Sequence, residues 1–460
     1  MAISRRSGWA CAVVAAALVL AFAARAEARA ARTFGGELTR LAQAAQLDPT
    51  VAAESRQTYR DARAAAGRLT GTRRTELQGA LRTVDGIAAR RQLTPERVTP
   101  LALTLERNRE WWTTRGPLRA GARVTFPGSE LVWQAVPGQG IQIHPLANFG
   151  KLNGFWLGGR RKPARAGRLL DELLALAVPR AGGLAWEYYF SFGGGQPPWV
   201  SGLAQGTAVQ SITRVAAWLG REAEVFPIAA QGLGVFATPA PEGVQVRTPE
   251  GSHYALYSFN PGLFVLNGFV QSLVGLFDYT QLTGDERGRA LFAAGDAAAR
   301  VEVPLFDTGA WSLYARGTTF RESDLSYHIL LRDFMNGLCN RTAEPVYCVA
   351  ATHFSTYLTQ PPALVLRTTR VRAGSVTPIA FELSKLSSVG MVVARDGRPI
   401  YTRAPVSLAY GRHTLSWPVP RRAGVYTVRL GAKDLAGNSA VVDGTVEVLP
   451  ARRRSPLRRG

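Results

Sequence analysis

The chain has 460 residues and a formal net charge of +22, with 55 Lys and Arg against 33 Asp and Glu. Only Lys151, Lys162, Lys385 and Lys433 are lysines, so arginine carries the excess, part of it in the terminal run RRRSPLRRG. That distribution argues against a nucleic-acid partner; it fits either compositional bias or an acidic surface polymer.

At the N-terminus, Arg5 and Arg6 precede an apolar run from Trp9 to about Ala24 and the small residues of ARAEARA. This order predicts a cleaved secretory signal over 1–30 and a secreted or cell-surface protein. The run is shorter than the ~20 apolar residues of a membrane span, and no later stretch is long enough, so no membrane span is expected after cleavage. Cys11 lies inside the run without a lipoprotein context. Cys339 and Cys348 remain, either as a short disulfide loop in an oxidising compartment or as two unpaired thiols. The five histidines lack zinc-ligand spacing, so neither metal nor cofactor is expected.

Residues 31–118 carry helical patterns, with Asp48-Pro49 and Thr94-Pro95 placed as N-cap and first-turn proline. Around 123–145, apolar and polar residues alternate between Gly/Pro turns, predicting a β-hairpin or short sheet. Its Gly138-Gln139-Gly140 turn lacks the spacing of a dinucleotide fingerprint. From about 164 to 358 helices return, over 168–177, 201–219, 266–282, 285–301 and 327–338. With their Gly-, Pro- and aromatic-rich loops they predict an α/α toroid. After Pro361-Pro362 the period becomes two, with turns at Asp396-Gly397 and Asp434–Asn438, predicting an immunoglobulin-like β-sandwich over 361–450 before a basic tail at 451–460. The expected whole is a multidomain α+β chain, with 119–360 as its functional domain.

The strings WVSGLAQGTA from Trp199, FVLNGF ending at Phe269, SLVGLFD at 272–278, PLFDTG at 304–309, and Tyr327-His328 follow one another in an order that resembles the C-terminal catalytic domain of the D-glucuronyl C5-epimerases. The resemblance covers about 199–338. It implies inversion at C5 of glucuronate within an exported acidic polysaccharide, giving iduronate. By motif it places the catalytic groups on Tyr257, Tyr314 and Tyr327. It leaves open which is base and which acid, and it makes a homodimer an expectation by analogy.

Removing a C–H proton beside a carboxylate requires neutralising that carboxylate and moving protons on two faces of the ring. Arg316, Arg321 and Arg332 are in range by sequence to hold the carboxylate. His328, Trp199, Gln205 and Asn267 are further candidates for contacting the sugar. Trp186 and Tyr188-Tyr189 read as a core stripe before a glycan platform; His144, His253, His353 and His413 read as structural. Animal members have an acidic pair where this chain has Ala255-Leu256, and a further histidine where it has Leu331. A polysaccharide lyase, which shares the first proton transfer, and a non-catalytic glycan-binding protein are the competing readings.

Overall fold

The computed structural model of the protein describes residues 33–451. The expected signal and all but the first residue of the basic tail lie outside the described residues. The chain forms two compact units: the first runs through Val246 and includes Tyr257–Pro261 and Gly275–Leu291, and the second comprises Arg247–Leu256, Gly262–Val274 and the chain from Phe292 onward.

The first unit opens with helices Phe34–Gln43, Pro49–Arg68, Gly71–Ala89 and Pro95–Thr114. Asp48 starts the second helix as its sequence implies, accepting from the Thr50 and Val51 N–H groups, while Pro49 fills the first turn where a missing N–H is harmless. Thr94 makes no side-chain cap bond, so proline alone marks the start of the fourth. Asp85 ties the helices together by accepting from the Phe34 N–H at 2.8 Å and the Tyr59 hydroxyl at 2.9 Å.

These helices hold the antiparallel sheet Arg123–Val124, Trp133–Val136 and Gly140–Ile143. Glu76 accepts from the Gly138 and Gly140 N–H groups, both at 2.9 Å, and Asn108 bonds both backbone groups of Ile141 through its amide. Gly140 sits at φ +75°, and a Cβ there would lie 2.1 Å from the Asn108 oxygen. The turn therefore requires glycine twice over, for its backbone angle and for close packing.

The longer helices that follow up to Val246 are Pro145–Leu157, Pro163–Leu174, Gly202–Leu219 and Glu222–Gly232. The first and last were absent from the sequence reading. His144-Pro145 resembles a turn there, yet His144 caps the helix by accepting from the Ala147 N–H; the last is interrupted by Pro227. Helix Gly202–Leu219 is capped by Ser201 and ends at Gly220 with φ +70°. It meets the middle of helix Leu266–Thr283 backbone to backbone, since a Cβ on Gly275 would fall 2.1 Å from the Gly206 carbonyl. Asp278 fixes this contact, accepting from Gln210 at 2.5 Å and Arg214 at 2.7 Å.

In the second unit, strands Leu263–Val265, Leu313–Gly317 and Arg321–Glu322 form an antiparallel sheet with Leu313–Gly317 central. Helices Leu325–Thr342 and Pro345–Tyr357 follow, and a disulfide joins Cys339 to Cys348 across them. The region after Leu364 is two sheets around one core. Ile379, Phe381, Leu415 and Trp417 come from a three-stranded sheet, and Val389, Met391, Tyr426, Val428 and Val446 from a five-stranded one. Asp396 and Gly397 adopt φ +51° and +74°, the left-handed pair a two-residue hairpin needs. Lys385, 1% exposed, donates to Asp434 at 2.9 Å and to the Tyr357 and Gln360 carbonyls, pinning the last helix to the sheets.

The described chain is thus a mixed α+β protein. The helices expected to form a toroid are divided: 202–219 belongs to the first unit, 325–342 to the second, and 266–283 and 286–302 contribute to both.

Candidate functional site

Alternation along Leu313–Gly317 buries Leu313 and Ala315 and leaves Tyr314 and Arg316 half-buried on the other face. The neighbouring short strand delivers Arg321, whose guanidinium carbon lies 4.6 Å from the centre of the Tyr314 ring. Asp324 caps the next helix by accepting from the Tyr327 N–H at 2.9 Å, which fixes Tyr327 in the first turn. The Tyr314 and Tyr327 rings then stand 4.6 Å apart, tilted by 54°. Two phenols therefore share a surface, with a guanidinium on the face of one.

Among the arginines in range, Arg321 lies over the ring of a catalytic candidate. Arg316 lies over Phe306 at 5.6 Å, and Arg332 pairs with Asp333 at 2.7 Å. Glu322, unremarked in the sequence, sits beside Arg321 as a buried carboxylate accepting from the Leu386 N–H at 2.8 Å and the Tyr410 N–H at 2.7 Å. Burial pushes its carboxyl above the usual range, opposed by those two bonds. Its partners lie 64 and 88 residues away, so no local pattern announced them.

His328, expected to contact the sugar, is packed inside the protein. It is fully buried, stacked on Trp311 at 3.6 Å, with Nδ1 facing the Ser312 hydroxyl at 2.8 Å and Nε2 the Phe354 carbonyl at 2.9 Å. Both nitrogens are used inside the protein, and burial pulls the imidazole down to about 4. It braces the strand and helix that carry the tyrosines. Asn267 is 5% exposed at the start of helix Leu266–Thr283, and its amide oxygen has no donor among the described residues.

Two candidates in the first unit are also packed internally. Gln205 is fully buried, and its amide bonds both the N–H and the carbonyl of Trp186, at 3.3 and 2.8 Å. Trp199, 4% exposed, stacks on Tyr188 at 4.1 Å and donates its indole N–H to the Phe190 carbonyl. Trp186, Tyr188 and Tyr189 are buried as the core reading expected. Tyr257 is half-buried at the edge of this cluster, 5.4 Å from the exposed Phe192 ring and 5.5 Å from Phe259. Phe192 and Phe259, overlooked in the sequence, are its immediate aromatic neighbours.

Among the described residues, no three His, Cys, Asp or Glu side chains are grouped to hold a metal ion, and no helix is long and apolar enough to cross a membrane.

Against known proteins, the model of the family described as "D-glucuronyl C5-epimerase C-terminus" matches residues 182–356. A D-glucuronyl C5-epimerase of Caenorhabditis elegans is 33% identical over 150 residues, 29% of this chain and 24% of its own length. An uncharacterized protein of Methanocaldococcus jannaschii is 25% identical over 173 residues, 36% of this chain and 54% of its own length. The chain therefore spans about a quarter and about half of these relatives. A solved engineered protein aligns over 54% of this chain and 45% of its own at 15% identity, with a TM-score of 0.16.

Proposed function

Residues 182–356 belong to the D-glucuronyl C5-epimerase family through its C-terminal domain, and from that premise we propose that the protein inverts C5 of glucuronate residues within an exported acidic polysaccharide. The observation that carries the reading is the Tyr314–Tyr327 pair with Arg321 over one ring, inside the family segment. Tyr257 remains a candidate through its motif alone.

The chemistry asks for an acceptor strong enough to take a proton from carbon. Phenolate meets this better than carboxylate, since a phenol ordinarily titrates near pH ~10 and a glutamate near ~4. A guanidinium next to the ring supplies the countercharge that a phenolate needs. In the proposed reaction a tyrosinate removes the C5 proton while arginine offsets the charge growing on the sugar carboxylate. A second tyrosine returns a proton to the opposite face. The C5–H bond breaks, a new C5–H bond forms, and no redox partner is required.

The test is incubation of the mature protein with a glucuronate polymer in deuterated water, followed by NMR of the ring. The expected outcome is deuterium at C5 with iduronate signals. A 4,5-unsaturated uronate would replace this reading with a lyase. Binding with neither product would leave a glycan-binding protein.

A further inference from the structure

We propose that the C-terminal two-sheet region carries a second, non-catalytic site for the carboxylates of an acidic saccharide, with Arg367 and Arg412 as its recognition pair. A cavity of about 780 Å³ opens on the three-stranded sheet, lined by Arg367, Glu382, Arg412, Ala380, His413 and Thr414. Strand register explains the arrangement. Glu382 faces Arg412 and Ala380 faces Thr414, while the alternate residues Ile379 and Phe381 turn into the core. Arg367 is anchored at the strand end by its own N–H, bonded to the Ala380 carbonyl at 2.8 Å.

Glu382 lies between the two guanidiniums, one oxygen on Arg367 at 2.5 Å and the other on Arg412 at 2.9 Å. An internal carboxylate thus already occupies the fork, which identifies the chemistry the fork suits. Each guanidinium has five N–H donors and gives one to Glu382, and the side chains remain 56% and 89% exposed. Two positive charges face one negative, so the group has charge and donors to spare for a second carboxylate. The small side chains of Ala380 and Thr414 line the same cavity. Residues 361–450 hold twelve Lys and Arg against five Asp and Glu, so the surrounding field also favours an anion. The choice of a saccharide rests on the function proposed above; the arginine fork does not.

The test uses the full chain. A non-sulfated oligosaccharide of alternating glucuronate and N-acetylhexosamine is titrated by calorimetry at low and moderate salt, with a neutral dextran of equal length as control. The wild type binds the acidic chain and not the dextran. The double variant Arg367→Ala/Arg412→Ala weakens binding at least tenfold. Glu382→Gln, which removes the internal competitor, tightens it two- to fivefold. Deuterium exchange at C5 of a short substrate stays within twofold of wild type in both variants. Unchanged affinity in the double variant, weakening by Glu382→Gln, or equal binding of dextran overturns the site. Arginine-dependent binding without C5 exchange would overturn the epimerase reading and keep the site. C5 exchange without arginine-dependent binding would do the reverse.

Discussion

Trp199 and Tyr314 both stand among aromatic neighbours, and the difference between their surroundings separates a core from a candidate catalyst. Around Trp199 the polar atoms of the cluster are committed: its indole bonds the Phe190 carbonyl, and the Tyr188 hydroxyl accepts from the Leu146 N–H. Burial there pushes the Tyr188 phenol well above its ordinary range, which opposes any phenolate. Around Tyr314 the ring is half-buried, with a second phenol and a guanidinium as neighbours. Aromatic density is the same signal in both places; burial and the company of charge distinguish them.

That contrast is most directly broken by single-atom deletions. Tyr314→Phe or Tyr327→Phe should lower C5 deuterium exchange by ~10²–10⁴-fold, the usual contribution of a positioned acid or base, while leaving the melting temperature within a few degrees. Full exchange in both variants would return these residues to the class of Tyr188.

The next effect concerns His328. Because burial holds its folded pKa at about 4 and the unfolded chain titrates near ~6.5, the unfolded state binds more protons between those values. Its contribution is complete above pH ~6.5 and is lost as pH falls towards 4, by an amount on the order of 3 kcal/mol. Denaturant midpoints at pH 7 and 4.5 should show this slope, and His328→Gln should remove its share; His144, also held near 4 by burial, contributes a share of its own. Equal slopes in wild type and variant would mean that His328 meets solvent and belongs with Tyr314 after all. Smaller again is Gln205→Leu, which leaves the backbone of Trp186 unpaired and should cost ~1–3 kcal/mol of stability. KM should not change. A raised KM with unchanged stability would make Gln205 a substrate contact.

Local pattern accounts for what was legible in the sequence. The helices at 202–219, 266–283 and 286–302, the turn at Asp396-Gly397 and the strands after 364 all rest on periodicity or turn chemistry within a few residues. The tyrosines were legible only because motifs surrounded them. Gln205 and His328 were read as ligand contacts because a polar residue inside a motif looks functional; their partners, Trp186 and the Ser312–Phe354 pair, lie 16 to 26 residues away and satisfy them internally. Lys385 and Glu322 escaped notice for the same reason, since a buried charge is announced by its distant partner and not by its neighbours in sequence.

Arg321 offers the finest test of the contrast. Its position over the Tyr314 ring combines a charge with a planar group, and these can be separated. Lysine preserves the charge but replaces a stacking plane with a compact, strongly hydrated ammonium. If planar stacking holds Tyr314 in place, Arg321→Lys should reduce exchange about two- to fivefold, the equivalent of one cation–π contact. If only the charge matters, lysine should be neutral and Arg321→Gln should produce the loss instead. Arg316→Lys, directed at the arginine over Phe306, should leave exchange unchanged in either case. An effect of Arg316→Lys larger than that of Arg321→Lys would move the carboxylate-holding role from one arginine to the other.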